Sequence, residues 1–195
     1  MLKIWIYSLS GGLSIVIDIA IYTKIDGGLS VEQWDLYDKN FNKIDKTANR
    51  GDWLLDDEYH LVVNAWIVND KNEFLITQRC PEKSHPCMWE CTGGSALMGE
   101  SDIDACVREI KEELGIDIDI ESARFLGSAH RYYEGCPDIL RVYIFKDNTP
   151  IENIKIQKEE VMNVMWADKS KILELYNQNK FEANPYFNEA IEFKY

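Results

Sequence analysis

Residues Ser101 to Gly115 constrain this chain more than any other stretch, because they read as a single helix with two different faces. Ile103, Cys106, Val107, Ile110 and Leu114 recur at steps of three and four, which writes an apolar stripe that must be buried against another element. Ser101 is placed to cap the N-terminus with Asp104 three residues later, and Gly115 supplies the left-handed residue that ends the last turn. Glu109, Glu112 and Glu113 stand at i, i+3 and i+4, on a face offset from the stripe. Three carboxylates so close together repel one another, and Arg108 can pair with Glu112 but cannot neutralise the set. A hard divalent cation can, because it takes oxygen ligands and keeps waters for phosphate groups. Without further context such a run reads as a solvated acidic face.

The residues around the helix supply that context. Gly94, Glu100, Arg108, Glu109, Ile110, Glu112, Glu113, Gly115 and Ile116 satisfy a pattern of Gly, five residues, Glu, seven residues, then Arg-Glu-apolar-x-Glu-Glu-x-Gly-apolar. Segment 94–116 resembles the Nudix box. The resemblance implies an α+β fold, a Nudix-type α/β/α sandwich with a mixed β-sheet. It also implies that metal-activated water cleaves a pyrophosphate bond in a nucleoside diphosphate linked to another moiety. On that reading Glu109, Glu112 and Glu113 hold Mg²⁺ or Mn²⁺, with the main-chain carbonyl near Gly94 as a further ligand. Glu100 and Arg108 brace the loop and helix. Such ions polarise phosphoryl oxygens and lower the pKa of bound water, which agrees with the ligand set. Glu112 and Glu113 are the first candidates for the general base, and Glu159 or Glu160 the alternative.

Trp34-Asp-Leu-Tyr-Asp38, Tyr59-His60, Trp66, Gln78-Arg79, Lys83 and Trp89 resemble the pattern shared by isopentenyl-diphosphate isomerases and their hydrolase-like Nudix relatives. Arg79 and Lys83 are therefore candidate diphosphate contacts, with Arg131, Trp34, Tyr132 and Tyr133 as further pocket candidates. The same comparison argues against isomerisation. The isomerase's cysteine, seven residues before the box glutamate, corresponds to Gly93, and its histidine two residues later corresponds to Ser95. His60 fits one metal histidine, but that residue's partner falls on Trp53, and the catalytic glutamate of a later strand falls at about Leu140. No acid–base pair is left to move a proton across a double bond, and His60 reads as a packed strand histidine. A nucleotide-binding sensor without turnover is a third reading, ranked last because every box carboxylate is present.

With 195 residues, 46% of them apolar, the chain can bury one full core. A formal net charge of −13 argues against nucleic acid or an anionic membrane as partner; the resemblance implies a small-molecule nucleotide or diphosphate as substrate. Five cysteines, an odd number, and no convincing secretory signal point to reduced thiols in the cytoplasm. Cys80, His85, Cys87 and Cys91 could supply soft zinc ligands, but their spacing is not a paired zinc arrangement and favours free thiols. Residues 1–30 are expected to form an N-terminal extension. Within it, Ser14 to Tyr22 would be a strand or hairpin against the domain or a partner subunit, so a homodimer fits this reading. Gly11, Gly12 and Asp18 interrupt the segment too often for a spanning helix. Residues 31–195 are expected to form the Nudix domain. Strands are expected over 32–37, 60–68, 73–79, 139–145 and 161–166, with a turn at Asn69–Asn72, and later helices over 169–179 and 185–193.

Overall fold

A computed structural model describes residues 31–195 except 134 in full, and only four backbone strands within residues 1–30. Those strands form two separate antiparallel pairs: β1 (Lys3–Leu9) with β2 (Gly12–Asp18), and β3 (Tyr22–Ile25) with β4 (Gly28–Val31). Residues Ser14 to Asp18 of the expected strand belong to β2, while 19–21 lie outside the described residues, as do the side chains that would show what this segment packs against.

The remaining strands make one mixed sheet of nine: β5 (Gln33–Tyr37), β6 (Lys43–Asn49), β7 (Tyr59–Val68), β8 (Phe74–Arg79), β9 (Trp89–Glu90), β10 (Thr92–Ser95), β11 (Arg124–Arg131), β12 (Asp138–Lys146) and β13 (Val161–Ala167). Strand β7 is its spine. One edge carries β12 in parallel, from His60 opposite Asp138 to Val68 opposite Lys146. The other edge takes β5, β10 and β8 in succession, all antiparallel. A strand covered on both faces needs apolar residues on both, so β7 is a nearly unbroken buried run rather than an alternating one.

The two faces of β7 serve two layers of helix. Leu61, Val63, Ala65 and Ile67 pack with Ala105, Cys106, Ile110 and Leu114 of α1 (Asp102–Leu114), the expected apolar stripe. Trp66 and Val68 face the other way, toward Ile172 and Leu175 of α2 (Lys169–Asn177) and Phe187 and Ile191 of α3 (Phe187–Ile191). Strand β12 repeats the division, with Ile139 and Phe145 on the α1 side and Leu140, Val142 and Ile144 on the other. The result is the α/β/α sandwich expected from the Nudix resemblance.

Both later helices are shorter than expected. Asn179 and Tyr186 adopt left-handed backbone (φ 54° and 68°), so α2 stops early and α3 begins only after Tyr186. Strands β6 and β11 and the short β9 and β10 lie outside the expected set. Among the described residues no helix is long and apolar enough to cross a membrane.

Candidate active site

Helix α1 starts as its sequence requires. Ser101 is extended, and its hydroxyl accepts a hydrogen bond from the Asp104 backbone N–H at 3.2 Å. Gly115 closes the last turn in left-handed backbone (φ 69°), donating to the Lys111 carbonyl. With the apolar stripe buried, Glu109 faces the strand β10. A β-carbon at Gly94 would lie 2.3 Å from Glu109 Oε1, so only glycine lets this carboxylate approach the main chain of residue 94.

Arg108 ties the loop before the helix to the helix itself. Its Nε and Nη2 donate to both oxygens of Glu100, at 2.7 and 3.0 Å, and Nη2 also donates to the Ser95 carbonyl at 2.9 Å. Glu100 Oε2 in turn accepts from the Leu97 backbone N–H at 2.9 Å. Nη1 reaches Glu109 at 2.8 Å and Glu112 at 2.9 Å, so one guanidinium engages two of the three helix glutamates. Glu112 is 52% exposed, on the solvent side of the cluster.

Glu113 is different. It is only 8% exposed, and among the described residues no hydrogen bond or ion pair reaches its carboxylate. Burial, and then the fields of Glu109, Glu90 and Glu160, push its pKa well above the ordinary carboxylate value, with Lys83 opposing. Burial raises Glu109 as well, against the pull of Arg108.

The two cations ahead of the box lie beside this cluster, each already paired. Arg79, the last residue of β8, donates from Nη1 to Glu90 Oε1 at 2.7 Å, and from Nε and Nη2 to the Ser84 carbonyl and hydroxyl at 2.6 and 3.0 Å. Lys83 forms an ion pair with Glu160. The loop bearing Glu160 hangs from α1 by the Gln157 N–H to the Glu113 carbonyl (3.0 Å), and the Cys80 N–H holds the Glu160 carbonyl at 3.1 Å. Glu160 therefore sits in the cluster, while Glu159 is exposed.

Glu90 went unnoticed in the sequence. The signal was alternation on a short strand: Trp89 and Cys91 point into the α2–α3 core, which turns Glu90 to the α1 side.

The other candidates lie apart from the cluster. Arg131 is committed to the frame: Nε and Nη2 donate to the buried Asp138 carboxylate at 2.8 and 2.9 Å, and Nη1 donates to Asn184 Oδ1 at 2.7 Å. Trp34 is buried and stacks on His60 with ring centroids 4.3 Å apart, so it lines no open pocket; Tyr132 and Tyr133 are exposed. His60 Nδ1 lies 3.2 Å from the Pro137 carbonyl, and burial lowers its pKa to about 4. Cys80 donates to the Lys158 carbonyl and Cys91 to Asn64 Oδ1, His85 pairs with Glu182, and Cys87 is exposed, so the four soft ligands have separate surroundings.

As they stand, no three His, Cys, Asp or Glu side chains among the described residues converge tightly enough to hold a metal ion. Arg108, Arg79 and Lys83 hold the surrounding carboxylates instead. The donor set nevertheless suits a hard cation, being all oxygen and including the buried Glu113 carboxylate, which has no ion-pair partner among the described residues.

A mixed sheet between two helical layers, with a glycine-opened strand leading into a helix that carries carboxylates, is the arrangement of a Nudix fold. The chain belongs to the Nudix family, and the NUDIX domain model matches residues 58–187. It is 36% identical over 166 residues to Nudix hydrolase lin0387 of Listeria innocua, covering 84% of this chain and 96% of that protein. It is 28% identical over 149 residues to an isopentenyl-diphosphate Delta-isomerase of Escherichia coli, covering 71% of this chain and 76% of the relative. Among solved structures, DR0079 from Deinococcus radiodurans shares the fold with a TM-score of 0.66 at 23% identity, covering 82% of this chain and 97% of that one. The MutT protein from Methanosarcina mazei Go1 shares it with a TM-score of 0.56 at 22% identity, covering 71% and 94%.

Proposed function

We propose that this chain is a metal-dependent pyrophosphohydrolase that uses water to cleave the pyrophosphate bond of a nucleoside diphosphate linked to another moiety. The observation that carries this reading is Glu113, a buried carboxylate that among the described residues has no ion-pair partner and lies in the field of Glu109, Glu90 and Glu160. Burying such a charge costs several kcal/mol unless something compensates it.

Glu109, Glu112 and Glu113 would hold Mg²⁺ or Mn²⁺, with the main-chain carbonyl near Gly94 as a further ligand. When bound, the ion would polarise the phosphoryl oxygens and acidify the attacking water. Glu100 and Arg108 keep the loop and helix in register. Glu113, buried beside Glu109, and the half-exposed Glu112 are the candidates for accepting the water proton, with Glu160 of the later loop as the alternative. Arg79 and Lys83 would bind the diphosphate, and Arg131 would contribute through the β11–β12 frame. Five free cysteines suit a reducing cytoplasm, and the acidic chain suits a small-molecule substrate better than nucleic acid.

The positions where the isomerase resemblance requires a cysteine and a glutamate hold Gly93 and the fully buried Leu140. Isomerisation is disfavoured on that ground.

The test is a substrate panel followed by phosphorus NMR with Mg²⁺ or Mn²⁺, containing nucleoside diphosphates, nucleotide sugars, dinucleotide cofactors, nucleoside triphosphates and isopentenyl diphosphate. Cleavage of at least one pyrophosphate bond, lost in chelator, is expected. Arg79→Ala and Lys83→Ala should mainly raise KM. Deuterium exchange into isopentenyl diphosphate would overturn the reading in favour of an isomerase, and tight binding without turnover would favour a sensor.

A further inference from the structure

The two cations proposed to bind diphosphate are both occupied. Arg79 and Glu90 are each 19% exposed, and Lys83 and Glu160 are 16% and 25% exposed. In pairs this far out of water, removing one partner strands the other, and a stranded buried charge costs several kcal/mol. A phosphate is a good competitor for Arg79, since a guanidinium can bind it through two parallel hydrogen bonds. The obstacle to exchange is therefore the fate of Glu90 and Glu160 once they are released. Both lie in the field of Glu113, whose own carboxylate has no hydrogen-bond or ion-pair partner among the described residues.

We propose that Arg79–Glu90 and Lys83–Glu160 are exchangeable pairs: an incoming diphosphate takes the two cations, and the released carboxylates turn onto the divalent cation beside Glu113. Diphosphate and metal then strengthen each other's binding through these four side chains, and neither is held well alone. Glu90 and Glu160 are positioning residues in this scheme. The loop geometry supports the exchange, because the loop is held by backbone bonds, Lys155 to Leu114, Gln157 to Glu113 and Cys80 to Glu160, while among the described residues the Glu160 carboxylate bonds only Lys83 and can change partners without moving the main chain. The inference rests on the hydrolase reading for the nature of the ligands, but its test needs no turnover.

Methylenebisphosphonate, a diphosphate that resists hydrolysis, is titrated calorimetrically into the wild-type chain, Glu90→Gln and Glu160→Gln, with EDTA present. Each substitution frees a cation, so metal-free binding should tighten by about three- to tenfold. The gain from Glu90→Gln should vanish in an Arg79→Gln background, and the gain from Glu160→Gln in a Lys83→Gln background, because a cation that is absent cannot be freed. The two cycles are independent, so a folding defect in one, seen in its melting curve, leaves the other to decide. In a Mn²⁺ titration read by the spin resonance of the free ion, the bisphosphonate should raise Mn²⁺ affinity at least about threefold more in the wild type than in the Glu90→Gln/Glu160→Gln double variant. The proposal is overturned if neither substitution tightens metal-free binding, if the gains persist without Arg79 and Lys83, or if the double variant keeps the full Mn²⁺ response. Failure of the hydrolase reading would appear separately, as no cleavage by the wild type across the substrate panel.

Discussion

The main chain at Gly93 passes so close to Val63 that a β-carbon at position 93 would lie 2.3 Å from the Val63 carbonyl oxygen. Strand β10 lies against β7 here, with Gly93 opposite Asn64, and backbone cannot give way as a side chain can. The position where the isomerase resemblance would call for a cysteine is thus closed to any side chain in this backbone. Gly93→Cys should lose about 1–3 kcal/mol in urea unfolding and gain no isomerase activity. A Gly93→Cys variant as stable as the wild type would show that β10 can slide away from β7.

Glu113→Gln separates catalysis from stability. The substitution removes a buried ionisable carboxylate that has no ion-pair partner among the described residues, so in EDTA the variant should be more stable than the wild type, by about 1 kcal/mol, while hydrolysis and Mn²⁺ binding are lost. Glu112→Gln should cost activity without that gain, because Glu112 is half exposed and paired with Arg108. Thermal melts in chelator and in Mn²⁺ decide the matter; a Glu113→Gln variant destabilised in EDTA would contradict the unpaired carboxylate.

Arg108→Lys keeps the charge and loses the fork. A lysine cannot engage Glu100 through two nitrogens while also reaching Ser95, Glu109 and Glu112, so the loop before α1 should loosen. A loss of about 2–4 kcal/mol in stability is expected, with faster amide exchange at Leu97. Wild-type stability in the lysine variant would show that the charge alone suffices.

His60 contributes a pH dependence with a definite sign. Its folded pKa, about 4, lies below the ordinary 6.5, so the unfolded chain binds the proton more readily. Its contribution is complete above pH 6.5 and is lost as the pH falls from there to about 4, reaching roughly 3 kcal/mol. The buried Glu109 and Glu113 act in the opposite sense, their raised values favouring the folded state as they protonate. The measurement is therefore the difference between the wild type and His60→Phe, which keeps a ring against Trp34. Urea unfolding of the two at pH 7 and pH 4.5 should show the wild type losing the greater stability, and parallel losses would refute the assignment.

Helix α1, its serine cap, its glycine stop and its buried stripe were legible from residues 101–115 alone, because a cap bonds within three residues and a helical stripe repeats every three or four. The turn after β7 was legible for the same reason: Asn69 binds the backbone N–H groups of Lys71 and Glu73, both within four residues. Strand β7 announced itself as an apolar run, though periodicity could not say that its two faces would meet different helical layers. What only the tertiary structure decided is how charges far apart in the chain were paired. Arg79 and Lys83 were visible as cations, yet their partners Glu90 and Glu160 depend on β9 pairing with β8 and on a loop whose Gln157, 44 residues beyond Glu113, is tied back to α1 at the Glu113 carbonyl, which no local pattern encodes. Arg131 looked equally free in the sequence and is committed to Asp138, because strands β11 and β12 set those two residues opposite each other. Local hydrogen bonding and periodicity are short-range and leave their mark in consecutive residues. Ion pairing, desolvation and the room for a β-carbon depend on which distant backbones come within a few ångströms, and that is settled only when the sheet closes.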